Sequence, residues 1–183
     1  MLALTTQARP RLLIKLTGWP RIGFLKAIFP DAKFIHLVRD GRAVAYSIIN
    51  VAFWWGWQGP QNWRWGELSP IYQAIWDRHE RSFLALAGIE WNLLLDALQT
   101  AKQNIPDENF LEVRYEDLCA KPDDLLAEVL TFCDLEHKPD FLPMRRRETL
   151  HNANAKWQEE LTPRQQALIE DVVQDYLQHY RYL

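Results

Sequence analysis

Residues 29–47 read FPDAKFIHLVRDGRAVAYS, and this stretch decides the fold. Lys33 to Val38 is rich in β-formers and predicts a central, buried strand. The turn Asp40-Gly41 follows, and Ala43, Val44, Ser47, Ile48 and Val51 then recur at helical spacing. Arg39 stands where the strand ends. In open α/β sheets ligands bind beyond the carboxyl ends of the strands, so Arg39 is expected to present a planar, permanently charged fork to that crevice. Such a fork suits phosphate oxygens. Ser47, about two turns into the helix, adds a hydroxyl donor on the condition that its face of the helix looks into the same crevice. For a single arginine the competing reading is a salt bridge to a neighbouring acid.

On the N-terminal side, Arg11 to Lys15 (RLLIK) predicts a short buried strand running into a turn at Gly18 and Pro20, and Ile22 to Phe29 predicts a short helix closed by Pro30. Strand, helix, strand and helix with short connections imply a parallel sheet with right-handed crossovers. On the C-terminal side, residues 53–68 (FWWGWQGPQNWRWGEL) break the periodicity and predict a loop or lid. Ser69-Pro70 marks a helix start, and helical spacing continues to about Lys102, as two helices meeting near Gly88. Phe110 to Tyr115 alternates like a strand. Pro122 opens another helix, a basic stretch (MRRRETLHNANAKW) follows, and Thr162-Pro163 starts a last helix running to about Tyr180. Without repeats or a linker, residues 1–183 are expected to form one α/β domain, a parallel sheet flanked by helices.

The 183 residues are 48% hydrophobic and 25% charged, with a formal net charge of -3. That balance argues against sequence-independent binding to nucleic acid, which needs a broad basic surface, but not against a small basic pocket. Cys119 and Cys133 are too few for a disulfide framework or a metal site and are read as reduced thiols, consistent with a cytoplasmic protein. No run approaches the roughly 18 apolar residues of a membrane span, and the N-terminus lacks a signal-peptide pattern.

The segment from Phe29 to Ser47 resembles the sulfotransferase family. That family marks its 3′-phosphate-binding element with an apolar strand, an Arg, a turn, and a Ser eight positions after the Arg, the separation of Arg39 and Ser47. Gly41 stands where Pro is frequent. LEVRYEDL, residues 111–118, resembles the segment whose Tyr lies near the adenine, which implies that role for Tyr115. Residues 154–182 resemble the family ending, where a Trp and a Leu precede the last helix. The basic loop before it implies Arg147 as a further 3′-phosphate ligand, against the alternative of a solvated arginine run. PRLLIKLTGWP, residues 10–20, resembles the strand ending in a Lys, which implies Lys15 beside the sulfuryl group, where charge builds on the leaving phosphate.

Two departures accompany the resemblance. Thr17 stands where the family often has a catalytic His, and a threonine hydroxyl is no general base near neutral pH. His36 reads as a hydrogen-bonded core histidine and His79-Glu80 as a solvated pair, so no base is assigned. The family's opening Lys/Arg-Ser-Gly-Thr loop, which cradles the 5′-phosphosulfate, has no counterpart, and the fold is expected to be N-terminally incomplete, a truncated form. Trp54, Trp55, Trp57, Trp63 and Trp65 fall where the family places acceptor-contacting segments; a lid packed on its own core or a homo-oligomer interface are the alternatives.

The resemblance implies a P-loop NTPase-like sulfotransferase fold that uses 3′-phosphoadenosine 5′-phosphosulfate, leaves 3′,5′-adenosine bisphosphate, acts on a small-molecule or carbohydrate hydroxyl or amine, and needs no metal. The alternative is a non-catalytic nucleotide-binding or interaction protein on the same frame. A P-loop kinase would need a Gly-x-x-x-x-Gly-Lys-Ser/Thr loop, which is absent.

Overall fold

A computed structural model describes residues 11–136 and 152–183. Strand β1 (Phe34–Val38) pairs in parallel with β2 (Phe110–Arg114), with Phe34 opposite Phe110 and Val38 opposite Arg114. Helix α1 (Ile22–Ile28) precedes β1, and α2 (Gly41–Ile49), α3 (Pro70–Arg78) and α4 (Phe83–Lys102) run between the two strands. After β2 come α5 (Tyr115–Ala120), α6 (Pro122–Phe132), α7 (Lys156–Glu160) and α8 (Pro163–His179).

Local chemistry sets the helix starts. Asp40 caps α2, its carboxylate accepting from the Arg42 amide at 2.9 Å. Ser69 and Ser82 cap α3 and α4 in the same way. Thr162 caps α8 ahead of Pro163, as the sequence predicts, and Gln165 completes a reciprocal capping box.

The core is built where α2, α4 and α8 cross. Ala45, Leu86, Ile89, Ile169, Val173 and Leu177 are fully buried there. Two glycines allow the close approach. A Cβ on Gly41 would lie 2.5 Å from the Trp91 ring, and one on Gly88 would lie 2.7 Å from Ile169 Cδ1. Gly88 is therefore a packing position inside α4, not the junction expected there. The break falls at residues 79–82, where Glu80 and Arg81 take positive φ and Ser82 restarts the chain as an N-cap.

Two strand expectations are corrected. Strand β1 is half-exposed: Phe34 and Val38 face the helices, whereas Ile35 and Leu37 remain 37% and 48% exposed. The cause is one-sided cover; the His36 ring sits 6.3 Å from Tyr180 on the helical side, and alternate residues point the other way. Residues 11–17 form no strand, because among the described residues they have no ladder partner; Leu13 is 91% exposed. Arg11 instead holds the end of α6 through the carbonyls of Cys133 and Asp134.

Candidate nucleotide site

The parallel register fixes the site. Because Val38 and Arg114 are partners, Arg39 and Tyr115 leave the sheet side by side at its carboxyl end, and the Arg39 guanidinium lies 4.6 Å from the centre of the Tyr115 ring. Tyr115 is the first residue of α5 rather than the last of a strand. The chain returns here at residues 153–154: Arg39 donates from Nε to Asn154 Oδ1 at 2.7 Å and from an Nη to the Ala153 carbonyl at 3.0 Å.

Among the described residues every partner of Arg39 is neutral: an amide oxygen, a carbonyl and a ring face. Arg42 has the opposite environment. It donates to Asp40 at 2.9 Å, to Glu170 at 3.1 Å and to the Tyr182 carbonyl at 3.3 Å, and stacks 4.8 Å above Trp157. One arginine of the RDGR turn is thus neutralised by two carboxylates and locks α8 to α2. The other keeps its charge at the mouth of the sheet.

Glu116 organises the surrounding groups. Its carboxylate accepts from the Asp40 amide at 3.2 Å, from the Tyr182 hydroxyl at 2.8 Å and from the Asn154 amide. Burial is the largest influence and opposes ionisation, but these hydrogen bonds together outweigh it and hold the carboxyl below the usual glutamate range. Through Asn154, Glu116 orients the amide oxygen that receives Arg39. Burial first, then a hydrogen bond with Cys119, pushes the Tyr115 phenol upward against the opposing pull of the Ala153 backbone and of Arg39.

Of the residues expected in the site, Arg39 and Tyr115 meet directly. Ser47 lies two turns along α2 on an exposed position, one turn beyond buried Ala43, and makes no hydrogen bond to Arg39 among the described residues. Lys15 is exposed in the irregular segment before Gly18. Arg147 lies outside the described residues. Asn154, Glu116 and Arg42 are the additions. Glu116 stands within the quoted LEVRYEDL segment, but nothing in local spacing signals that residues 116 and 154 converge.

The remaining candidates have structural partners. His36 Nδ1 sits 3.0 Å from Glu112, its register partner, as a paired histidine. His79 sits 2.8 Å from Asp171, and Glu80 accepts from Arg164 at 2.6 Å. In the tryptophan-rich loop, Trp54 and Trp63 are buried while Trp55 and Trp57 are 50% and 61% exposed. The Trp54 indole donates to buried Glu90 at 2.7 Å, so part of this loop is packed on its own core. Among the described residues no cluster of metal-ligating side chains occurs, and no helix is long and apolar enough to cross a membrane.

Comparison with known proteins places the sequence in a family and the fold beside a solved member of it. The model of the Sulfotransferase family matches residues 5–140, well over half of the chain. Omega-hydroxy-beta-dihydromenaquinone-9 sulfotransferase Stf3 of Mycobacterium tuberculosis is 26% identical over 169 residues, covering 88% of this chain and 38% of that protein. Protein-tyrosine sulfotransferase A of Caenorhabditis elegans is 24% identical over 117 residues, covering 61% of this chain and 24% of its own length. The chain thus spans well under half the length of these relatives. Among solved structures, the sulfotransferase domain from the curacin biosynthetic pathway superposes with a TM-score of 0.58 at 18% identity, over 92% of this chain and 64% of that domain, and shows the same fold. With the family pattern running through the β1–α2 turn that carries Arg39, the chain belongs to the sulfotransferase family.

Proposed function

We propose that this chain binds 3′-phosphoadenosine 5′-phosphosulfate at the carboxyl end of the β1–β2 pair and serves sulfuryl transfer to a hydroxyl or amine. The donor supplies an activated sulfuryl group. Family membership and the sulfotransferase names of its relatives support the reaction class. The observation that carries the site is the environment of Arg39, an arginine oriented by neutral acceptors and an aromatic ring while its neighbour Arg42 takes the carboxylates.

Each residue has a defined task in this reading. Arg39 pairs the 3′-phosphate with two parallel donors, exchanging weak neutral acceptors for a charged one. Ser47 adds a hydroxyl donor, and Arg147 a second cation. Tyr115 offers a ring edge and face to adenine next to the guanidinium it already supports. Lys15 places a positive charge at the reacting end, where the leaving phosphate oxygen gains electron density. Adenine and 3′-phosphate are held by groups that do not react, so their binding orients the reacting end.

The test is a pair of titrations of the full chain with 3′,5′-adenosine bisphosphate and with adenosine 5′-monophosphate. A 3′-phosphate site binds the bisphosphate at least about tenfold more tightly, the contribution of one charge-assisted contact. Equal affinities remove the site.

A further inference from the structure

Exposed Trp19 and half-buried Trp65 converge with two arginines beside the Lys15 segment. Trp19 and Trp65 stack with ring centres 6.3 Å apart and planes 25° from parallel, and Gly18, at φ 90°, approaches so closely that a Cβ there would lie 2.9 Å from the Trp65 ring. These rings line an open cleft of roughly 550 Å³ with Arg21, Arg64 and Gly66. The Arg64 guanidinium lies 5.2 Å from the centre of Trp65. Among the described residues no carboxylate lines the cleft. The acid behind it is Glu90, 6% exposed, which accepts the Trp54 indole at 2.7 Å and whose charged form is favoured by neighbouring Trp65 and Arg64. Glu90 therefore fixes the wall of the cleft from within, while Arg21 and Arg64 are on the exposed side.

These features select a ligand. Trp19 is 47% exposed and offers a flat apolar face. A ring inserted between two aromatic planes needs about 7 Å between them, two van der Waals layers, so the 6.3 Å pair admits a ligand only on its outer face. Two guanidinium groups at the rim attract an anion and repel a cation. Trp19 follows Lys15 by four residues, which keeps the two Cα atoms within about 14 Å.

We propose that the Trp19–Trp65 cleft is the acceptor subsite and takes a small aromatic alcohol carrying a carboxylate or phosphate, its ring on Trp19 and its anion between Arg21 and Arg64. This inference rests on the sulfotransferase reading above and names the acceptor class for it. It distinguishes the roles of the tryptophans in the 53–68 loop: Trp54 and Trp63 are buried in the core, whereas Trp65, half-buried against that core, also lines the cleft.

The experiment measures binding without nucleotide, by saturation-transfer NMR and calorimetry on the full chain. Three probes separate the contributions: 4-hydroxyphenylacetate, neutral 4-ethylphenol, and cyclohexylacetate, an anion without an aromatic face. Expected is binding of 4-hydroxyphenylacetate about tenfold tighter than of either other probe, weakened by salt, and reduced about tenfold by Trp19→Ala and by Arg21→Gln. Arg21→Lys recovers part of the loss, and Arg164→Gln, in an exposed pair with Glu80, changes nothing. Circular dichroism verifies that each variant is folded. Equal binding of 4-ethylphenol, no binding of 4-hydroxyphenylacetate, or full affinity in both Trp19→Ala and Arg21→Gln overturns the proposal. Failure of the 3′-phosphate site would appear separately, in the bisphosphate titration.

Discussion

Arg39 rests on the ring of Tyr115, 4.6 Å from its centre, because the residues before them, Val38 and Arg114, are partners in a parallel ladder. The contact is set by backbone register, so the guanidinium is in place before any ligand arrives. Its other two bonds, to the Ala153 carbonyl and Asn154, come from the far end of the chain and tie the site to the start of α7. A sheet, a capped helix and a returning loop together hold one charge.

Arg42 carries stability. Arg42→Ala would leave Asp40, 6% exposed, and Glu170 without their cation and uncover Trp157. Urea unfolding should show a loss of about 3 kcal/mol, the range for breaking a buried ion pair. A loss comparable to that of an exposed pair such as Arg81–Asp77 would mean that α2 and α8 are joined by apolar packing alone.

Gly41 is a packing position as well as a turn residue. Gly41→Ala drives a Cβ to 2.5 Å from Trp91, two residues along the chain from Arg39. Expected is a loss of about 1–3 kcal/mol in unfolding free energy together with weaker adenosine bisphosphate binding. Proline, which the family frequently places here, meets the same ring, so Gly41→Pro should fail in this chain while Trp91 is present. A stable, ligand-competent Gly41→Pro would contradict the packing argument.

Much of this was legible because it is local. The apolar run ending at Arg39, the Asp40 turn and the Thr162 cap are encoded within a few residues, and all form as the sequence predicts. The convergence of Arg39, Glu116 and Asn154 was not, because the pairs are 115 and 38 positions apart and no short-range pattern records them. Arg11 to Lys15 has strand composition, yet a strand forms only against a partner. Gly88 misled for a related reason: a helical glycine marks a close helix crossing as readily as a helix end, and Ile169 decides which.

Acid should weaken the site before it unfolds the core. Among the carboxyls held low are Glu112, chiefly by its hydrogen bond with His36, and Glu116, where burial is outweighed by its hydrogen bonds. A depressed folded-state pKa contributes stability that is complete above the unfolded value of about 4.3 and is lost as pH falls through the folded value. Melting temperature should therefore fall below about pH 4.3, and Glu116→Gln should flatten that decline. An unchanged slope in Glu116→Gln would remove this carboxylate from the stabilising set.

Glu90 has the opposite sign. Burial, the largest influence, raises its pKa against the pull of Trp54, Trp65 and Arg64. Its ionisation therefore costs stability as pH rises through the unfolded value toward the folded one. Glu90→Gln keeps an acceptor for the Trp54 indole without the charge and should unfold at a higher temperature than the parent at pH 7. Glu90→Ala leaves the Trp54 indole donor unsatisfied and a cavity, and should cost about 2–4 kcal/mol. A glutamine variant less stable than the parent at pH 7 would show that the charge itself is used.

The central claim is that Arg39 reads a 3′-phosphate, and a thermodynamic cycle tests it most directly. Calorimetry compares 3′,5′-adenosine bisphosphate with adenosine 5′-monophosphate on the parent chain and on Arg39→Gln, which removes the charge and the guanidinium fork while keeping a shorter, neutral amide donor. The account predicts that the parent prefers the bisphosphate by at least about tenfold and that Arg39→Gln shows no preference. A preference that survives intact in Arg39→Gln would contradict it.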